Sequence, residues 1–382
     1  MSTSSYFAQL TTGLREADIA RPCLVLDLDR LDRNIQAVKA RLSAPLRIVD
    51  KSLPCLPLIE RVRDAFATNL VMTFHPPVTE TVMAHLPDAR MLFGKPMPVA
   101  AAAKLLRARN DAASRIDWLI DTPERLAHYA ELADAMAVNL SICFEVDIGL
   151  HRGGLSDPQN LNRILEQLKS YGRLTCSGIM AYEAHIGHIP SLLGGPKRAR
   201  ERAISRFQQF SAQLGPDQRR ILNLGGSSTA LTYQSDVGAN EMSMGSAFVK
   251  PSDFDVPSLA SLEPALFIAA PILKIVDVEL PGLDSWSRFG QLAGLLPRRA
   301  CYLYGGKWMA KPVFPEGMKE DATFGVSSNQ QFFALPKHST ANVDEFAFLR
   351  ATQSEFVLQQ FGAMCVFSEG RLLEFWSALV MG

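Results

Sequence analysis

The chain has 382 residues, with hydrophobic residues at 47% and charged residues at 20%, a balance that excludes a disordered or fibrous polymer and supplies a large core. Lys plus Arg and Asp plus Glu number 39 each, so the summed charge gives no general attraction for nucleic acid or an anionic membrane, and a small-molecule substrate is expected. The six cysteines, Cys23, Cys55, Cys143, Cys176, Cys301 and Cys365, show no CxxC or paired-ligand spacing and read as reduced structural thiols.

The opening MSTSSYFAQLTTGLREADIARP has no basic start followed by a long apolar run, and nowhere do eighteen consecutive apolar residues occur. A cytoplasmic protein without a membrane span is expected. Up to about Arg21 this segment is free to pack on either of two domains. From residue 46 to about 248, short apolar runs alternate with amphipathic stretches, the signature of βα repeats. Eight runs read as strands: LRIV at 46, NLVMTF at 69, RMLF at 90, IDWLI at 116, LSICFEV at 140, LTCSGIM at 174, ILNL at 221 and EMSM at 241. Between them, PLIERVRDAFA places Leu58, Ile59, Val62 and Phe66 on one helical face. TPERLAHYAELADAMA carries a start signal, with Asp121 or Thr122 as cap and Pro123 in the first turn.

Eight parallel strands with intervening helices close into a (β/α)8 TIM-type barrel, whereas a doubly wound sheet usually has fewer strands and a glycine fingerprint after the first. After about residue 255 the apolar segments APILKIVDVEL, RACYLYGG, QQFFALP, FAFLR and GAMCVFSEGRLLEFW are short and separated by turns, which predicts a β-rich second domain. The α/β class therefore divides into a barrel over 22–255 and a β-rich domain over 256–382, with 1–21 joined to it.

Reactive groups in such a barrel follow the strands at their C-terminal face. Those positions hold Asp50 and Lys51, His75, Gly94 and Lys95, Asp121, Glu145, Asp147 and Arg152, Tyr182 and His185, Gly225, Gly226, Ser227 and Ser228, and Gly245 with Ser246. NLGGSSTAL follows the seventh strand and MGSA the eighth, the two loops that commonly bind phosphate in barrels. Glycines let the backbone approach an anion, and amides with Ser hydroxyls can donate to it. A lysine at the same mouth can form a Schiff base when its amine is neutral. Lys51 alone reads as a solvated surface charge; Lys51 facing a phosphate loop reads as a pyridoxal-phosphate (PLP) site.

The stretch RPCLVLDLDRLDRNIQAVKARLSAPLRIVDKS, followed in order by EVDIGLHRGGL, GIMAYEAHIG, LNLGGSST, EMSMGSAF and FGAMCVFSEGRLLEFW, resembles the D-threonine aldolase and D-serine dehydratase family of fold-type III PLP enzymes, to which alanine racemase also belongs. The resemblance covers nearly the whole chain and implies the same barrel plus β domain. It implies that Lys51 carries the cofactor and exchanges the proton at the substrate Cα, that Arg47 lies beneath the cofactor, and that Arg152 stands near its phenolic oxygen. Tyr182 would lie beside the ring with His185 nearby, and Gly226, Ser227, Ser228, Gly245 and Ser246 would hold the phosphate. Competing readings pair Arg152 with Glu145 or Asp147, make Tyr182 a core aromatic and make His185 an ordinary buried histidine. His75 and His151 receive no role.

The family commonly holds a divalent metal through a histidine and, two residues later, a cysteine or aspartate. RATQSEFVLQQFG places Gln353 and Glu355 there, a thin donor set for zinc, although Glu355 can serve a hard cation or the 3-hydroxyl proton. The metal stays open. The expected activity is a PLP-dependent lyase acting on a 3-hydroxy D-amino acid, of aldolase or dehydratase type. The alternative is an amino-acid racemase, with Tyr302 or Tyr304 of a partner subunit facing Lys51. A cofactor-carrying protein without catalysis fits poorly, since known single-barrel proteins of that kind lack a second domain. The resemblance also implies a homodimer.

Overall fold

A computed structural model describes residues 2–280, 282, 284–322 and 324–381. Strand β1 (Cys23–Asp27) comes first, followed by eight short strands: β2 (Leu46–Val49), β3 (Leu70–Thr73), β4 (Arg90–Phe93), β5 (Ile116–Ile120), β6 (Leu140–Glu145), β7 (Leu174–Ala181), β8 (Ile221–Leu224) and β9 (Glu241–Met244). These eight form a closed parallel barrel in sequence order. The remaining strands are β10 (Leu266–Asp277), β11 (Arg299–Tyr304), β12 (Ala310–Phe314), β13 (Gln330–Leu335), β14 (Phe346–Ala351), β15 (Ala363–Ser368) and β16 (Arg371–Ser377).

Two compact units result. One comprises Ile35–Phe248, Val256–Leu262 and Leu379–Gly382 and contains the barrel; the other comprises Met1–Asn34, Val249–Asp255 and Glu263–Ala378. Against the expected boundaries of 22–255 and 256–382, residues 22–34 and 249–255 group with the β unit and 256–262 and 379–382 with the barrel. Strand β1 pairs antiparallel with β10 and parallel with β15, so residues 22–34 lie in the β unit. The cause is that CLVLD is buried along its whole length, a pattern shared by barrel strands and central sheet strands alike.

In the barrel unit, sequence and packing agree closely. The helix Leu56–Phe66 buries Leu58, Ile59 and Val62, and the helix Pro123–Met136 starts where Thr122 accepts a hydrogen bond from the Arg125 amide at 3.2 Å. Strand β5 is buried at all five positions, as a strand covered on both faces must be. Trp118 on it stacks on Phe93 with centroids 5.0 Å apart. At Gly178 on β7 a Cβ would run into the Ile221 carbonyl, so the close approach of β7 to β8 needs glycine there.

The barrel closes where β2 pairs with β9, with Leu46, Arg47 and Ile48 opposite Met242, Ser243 and Met244. Inside, Arg47 is almost wholly buried and meets Glu241 twice, Nε to Oε1 at 2.6 Å and an NH2 contact to Oε2 at 2.7 Å. Its other terminal nitrogen donates to the carbonyls of Val71 and Arg90 at 3.0 and 3.1 Å. Asn223 donates to Glu241 at 2.9 Å and to Ser243 at 2.8 Å. The charges are thus paired and hydrogen-bonded, which a buried ion pair requires.

In the β unit the sheet runs β12-β14-β10-β1-β15-β16, with β11 joined to β10 and β13. The helix Thr3–Glu16 packs Phe7, Leu10 and Leu14 into a cluster with Cys23, Val25, Phe267, Phe348, Cys365 and Phe367. Among the described residues no helix is long and apolar enough to cross a membrane.

Removing one partner of the Arg47–Glu241 pair leaves an uncompensated buried charge, so Glu241→Ala is expected to cost about 3–5 kcal/mol in urea unfolding. Cutting the exposed Lys169–Glu166 pair should cost under about 1 kcal/mol. Equal effects would contradict the reading of the seam.

Candidate functional site

Each loop at the C-terminal rim presents its residues for a local reason. Lys51 lies in a single 3-10 turn, Asp50–Ser52, directly after β2. Its Nζ stands 5.1 Å from the centre of the Phe74 ring. Gly94, after β4, makes room for that ring, because a Cβ there would collide with it. On Lys51's other side the loop after β9 comes close. Ser52 and Ser246 hydroxyls are 2.9 Å apart, and a Cβ on Gly245 would stand 2.7 Å from the Val49 carbonyl.

The loop after β8 is a compact turn. Gly225 has φ +96, a conformation that favours glycine. The Gly226 amide donates to the Thr229 hydroxyl at 3.1 Å, while the Thr229 and Ala230 amides donate to the Gly226 carbonyl at 3.0 and 2.9 Å. The Ser227 hydroxyl accepts from the amides of Gly245 and Ala247, both at 3.2 Å, and so fastens this loop to the one after β9. Among the described residues, the amides of Ser227, Ser228 and Ser246 have no intramolecular acceptor. Amides left open on a glycine-bearing turn are the chemistry of an anion site, so the residues present fit a phosphate group.

Tyr182 follows β7, and its ring lies against Gly226, where a Cβ would be 2.5 Å from Cε2. Arg152 places its guanidinium 5.0 Å from the Tyr182 ring centre and 3.8 Å from a Glu145 carboxylate oxygen. Arg152 thus faces the aromatic ring and pairs with Glu145. Burial raises the Glu145 carboxyl, against the pull of Arg152.

His185 lies beside the neighbouring turn, its Nε2 3.0 Å from where a Cβ on Gly149 would stand. Its Nδ1 is buried without a partner, and burial lowers its pKa. Asp147 shapes that turn by accepting from the Gly149 and His151 amides at 2.9 and 3.0 Å and meeting the His151 ring at 2.6 Å.

Arg47, expected beneath the cofactor, is buried in the barrel interior. Four of its five N–H directions go to Glu241 and two carbonyls in the barrel interior, so it braces the barrel rather than offering a fork to a ligand. Gln353 and Glu355 belong to the β unit. Gln353 precedes the helix Ser354–Phe361 and donates to Asp253 at 3.4 Å, and Glu355 stands 3.5 Å from the Ser354 hydroxyl. Among the described residues no three His, Cys, Asp or Glu side chains converge in a way that would hold a metal ion.

Of two buried carboxyls at this rim, the sequence places Asp50 among the strand-end positions without giving it a role and does not single out Glu183. Asp50, adjoining Lys51, is fully buried with neither oxygen in a well-formed hydrogen bond, and burial pushes its pKa up to about 7 against the opposing influence of Thr73 and Lys51. Glu183, adjoining Tyr182, is also fully buried and raised to about 7 by burial, against Thr229 and Tyr233. The sequence signal was present in both cases, a carboxylate beside a proposed site residue at a strand end.

Comparison with known proteins agrees with this fold. The family described as alanine racemase, N-terminal domain, matches residues 26–253. A 3-hydroxy-D-aspartate aldolase from Paracoccus denitrificans (strain Pd 1222) is 23% identical over 369 residues, covering 87% of this chain and 89% of that protein. The crystal structure of D-threonine aldolase from Filomicrobium marinum superposes with TM-score 0.73 at 18% identity, covering 94% of this chain and 96% of its own. D-threo-3-hydroxyaspartate dehydratase from Delftia sp. HT23 gives TM-score 0.71 at 18% identity over 94% and 97%.

Two measurements check the site. Gly226→Val is expected to push the Tyr182 ring aside and weaken binding of inorganic phosphate at least about tenfold by calorimetry; unchanged affinity would move the anion site elsewhere. Asp50 and Glu183 bind their protons more tightly folded than unfolded, so the stability of the ligand-free protein should fall as pH rises from about 4 to about 7. Asp50→Asn should flatten that slope in urea titrations, and an unaltered slope would mean that Asp50 ionises normally.

Proposed function

The chain belongs to the alanine racemase N-terminal domain family, and from that premise we propose that it is a PLP-dependent lyase acting on D-amino acids, with 3-hydroxy D-amino acids as its substrates. One observation carries the reading. Val49 and Ser52, which bracket Asp50 and Lys51, touch Gly245 and Ser246, so the rim lysine's turn and the β9 loop adjoin, and Ser227 joins the β8 loop to them. An amine and an anion cradle side by side match the aldehyde and the phosphate of PLP.

The amides of Ser227, Ser228 and Ser246 would hold the phosphate, and the Lys51 amine would anchor the other end. Gly225, Gly226 and Gly245 give the backbone the room this needs. Tyr182 flanks the same loop with its ring, and Arg152, charged and facing that ring, is the donor for the phenolic oxygen. When bound, PLP supplies an electron sink at the substrate Cα. The freed Lys51 amine takes or returns the proton there. Cleavage of the Cα–Cβ bond needs a base for the 3-hydroxyl proton, whereas loss of the hydroxyl needs an acid. His185, whose neutral form burial favours, suits the first task. Glu355, by its family position, is the second candidate for the 3-hydroxyl.

The names of the similar proteins, two aldolases and a dehydratase, support a lyase. Racemisation has less support. Tyr302 packs edge-on against Phe332 with centroids 5.5 Å apart and lies under Lys274, and Tyr304 is exposed. A homodimer is the expected assembly, and light scattering checks it.

Purified protein given D- and L-amino acids with and without a 3-hydroxyl group should yield glycine plus aldehyde, or keto acid plus ammonia, from the D-hydroxy substrates alone. The opposite enantiomer as sole product would establish a racemase. Lys51→Ala should lose the visible cofactor band and fall by at least about a thousandfold in turnover. Because one carboxylate and an amide make a thin metal shell, chelation should leave turnover intact while Glu355→Gln lowers it. Loss on chelation with recovery in manganese or magnesium would make Glu355 a cation ligand instead.

A further inference from the structure

Behind the β8 loop lies a buried polar group that the proposed chemistry does not use. Glu183 Oε1 accepts from the Thr229 hydroxyl, the same hydroxyl that takes the Gly226 amide, and the Gly225 amide also favours the carboxylate. Glu183 therefore grips the turn Gly225–Thr229 from below at two points. Its Oε2 is buried without a well-formed hydrogen bond, and the Tyr233 hydroxyl, buried likewise, stands within its influence. Ionising a carboxyl so deep in the interior is disfavoured by burial, and here the charge would also repel the anion that the turn is shaped to bind.

We propose that Glu183 is the positioning residue of the phosphate loop, holding Gly225–Thr229 in its anion-accepting shape as a neutral acid and releasing its grip on the anion when it ionises. This rests on the reading of that loop as the PLP phosphate site. The neutral acid is compatible with its neighbours, since its O–H can donate toward the Tyr233 oxygen while Oε1 still accepts from Thr229. Burial favours the neutral form, and the hydrogen bonds from Thr229, Tyr233 and the Gly225 amide oppose it. Thr229 and Tyr233 come from the loop after β8 and Tyr182 from its own strand end. Arg200, on the helix Gly195–Ser211, is spent on the Thr232 carbonyl at 3.2 Å and acts on Tyr233. Burial raises Glu183 to about 7, so the change falls in an accessible range. The upward shift means that the neutral form is kept below about 7 and the charged form appears above it.

The test is calorimetric binding of PLP, and separately of inorganic phosphate, to wild type, Glu183→Gln and Glu183→Ala between about pH 6 and about pH 8.5. Glutamine keeps the acceptor for Thr229 without ever ionising. It should match wild type at pH 6 and bind at least about fivefold tighter than wild type at pH 8.5, while alanine should bind at least about tenfold more weakly at both. Thr229→Val, which removes the bridge but leaves Glu183, should resemble alanine. Circular dichroism and urea midpoints show which variants fold, and the glutamine arm alone decides the matter if alanine does not. Glutamine as weak as alanine at pH 6, or a wild-type and glutamine pH dependence that coincide, would overturn the proposal. If wild type takes phosphate but not PLP, the cofactor reading fails while the role of Glu183 stands. If it takes neither, the anion site itself is refuted.

Discussion

The barrel depends on one seam. Strand β2 must find β9 across nearly two hundred residues of chain, and what marks that pairing from inside is Arg47 of β2 gripping Glu241 of β9. A buried ion pair adds little net stability against an apolar replacement, but it penalises every pairing that separates its charges. Asn223 and Ser243 take up the remaining hydrogen-bonding capacity. Because β2 and β9 are neighbours, so are the loops that follow them. Lys51 thus stands beside Gly245 and Ser246, and Ser227 ties in the loop after β8. An amine from early in the chain and amides from late in the barrel share one rim because the ring closes there.

The same rim concentrates carboxyl groups where water cannot reach them. Asp50 and Glu183 each sit one residue from a proposed site residue, Lys51 and Tyr182, in the segments directly after β2 and β7. Their burial costs stability as they ionise, and such expense is typical where a site needs groups poised near neutral pH. At Glu183 the geometry explains what is gained, a support for the anion loop that carries no opposing charge. For Asp50 the structure gives the burial and its cause but no chemical step.

Much of this was legible in the sequence because parallel strands covered on both faces leave short uninterrupted apolar runs. LRIV, RMLF, IDWLI, ILNL and EMSM coincide with β2, β4, β5, β8 and β9. The glycine and serine loops were legible for a similar reason, since local backbone demands are written in local residue types. Partnerships between distant residues were not. CLVLD looks like one more barrel strand until its pairing with Ala269–Leu266 and Met364–Phe367 is seen. Arg47 on β2 was visible, but not that Glu241 would claim its guanidinium. Glu183 was passed over between Tyr182 and His185 because the sequence does not say which of three adjacent polar residues turns inward.

The central claim is that this rim holds PLP through Lys51, and the most direct test is chemical. PLP-loaded protein is reduced with borohydride, digested, and its peptides are mapped by mass spectrometry. The account predicts a pyridoxyl group on the peptide containing Asp50, Lys51 and Ser52, with inorganic phosphate slowing its incorporation by competing at the β8 and β9 loops. Label on Lys95, Lys250 or any other lysine in place of Lys51, or no stable label at all, would contradict it.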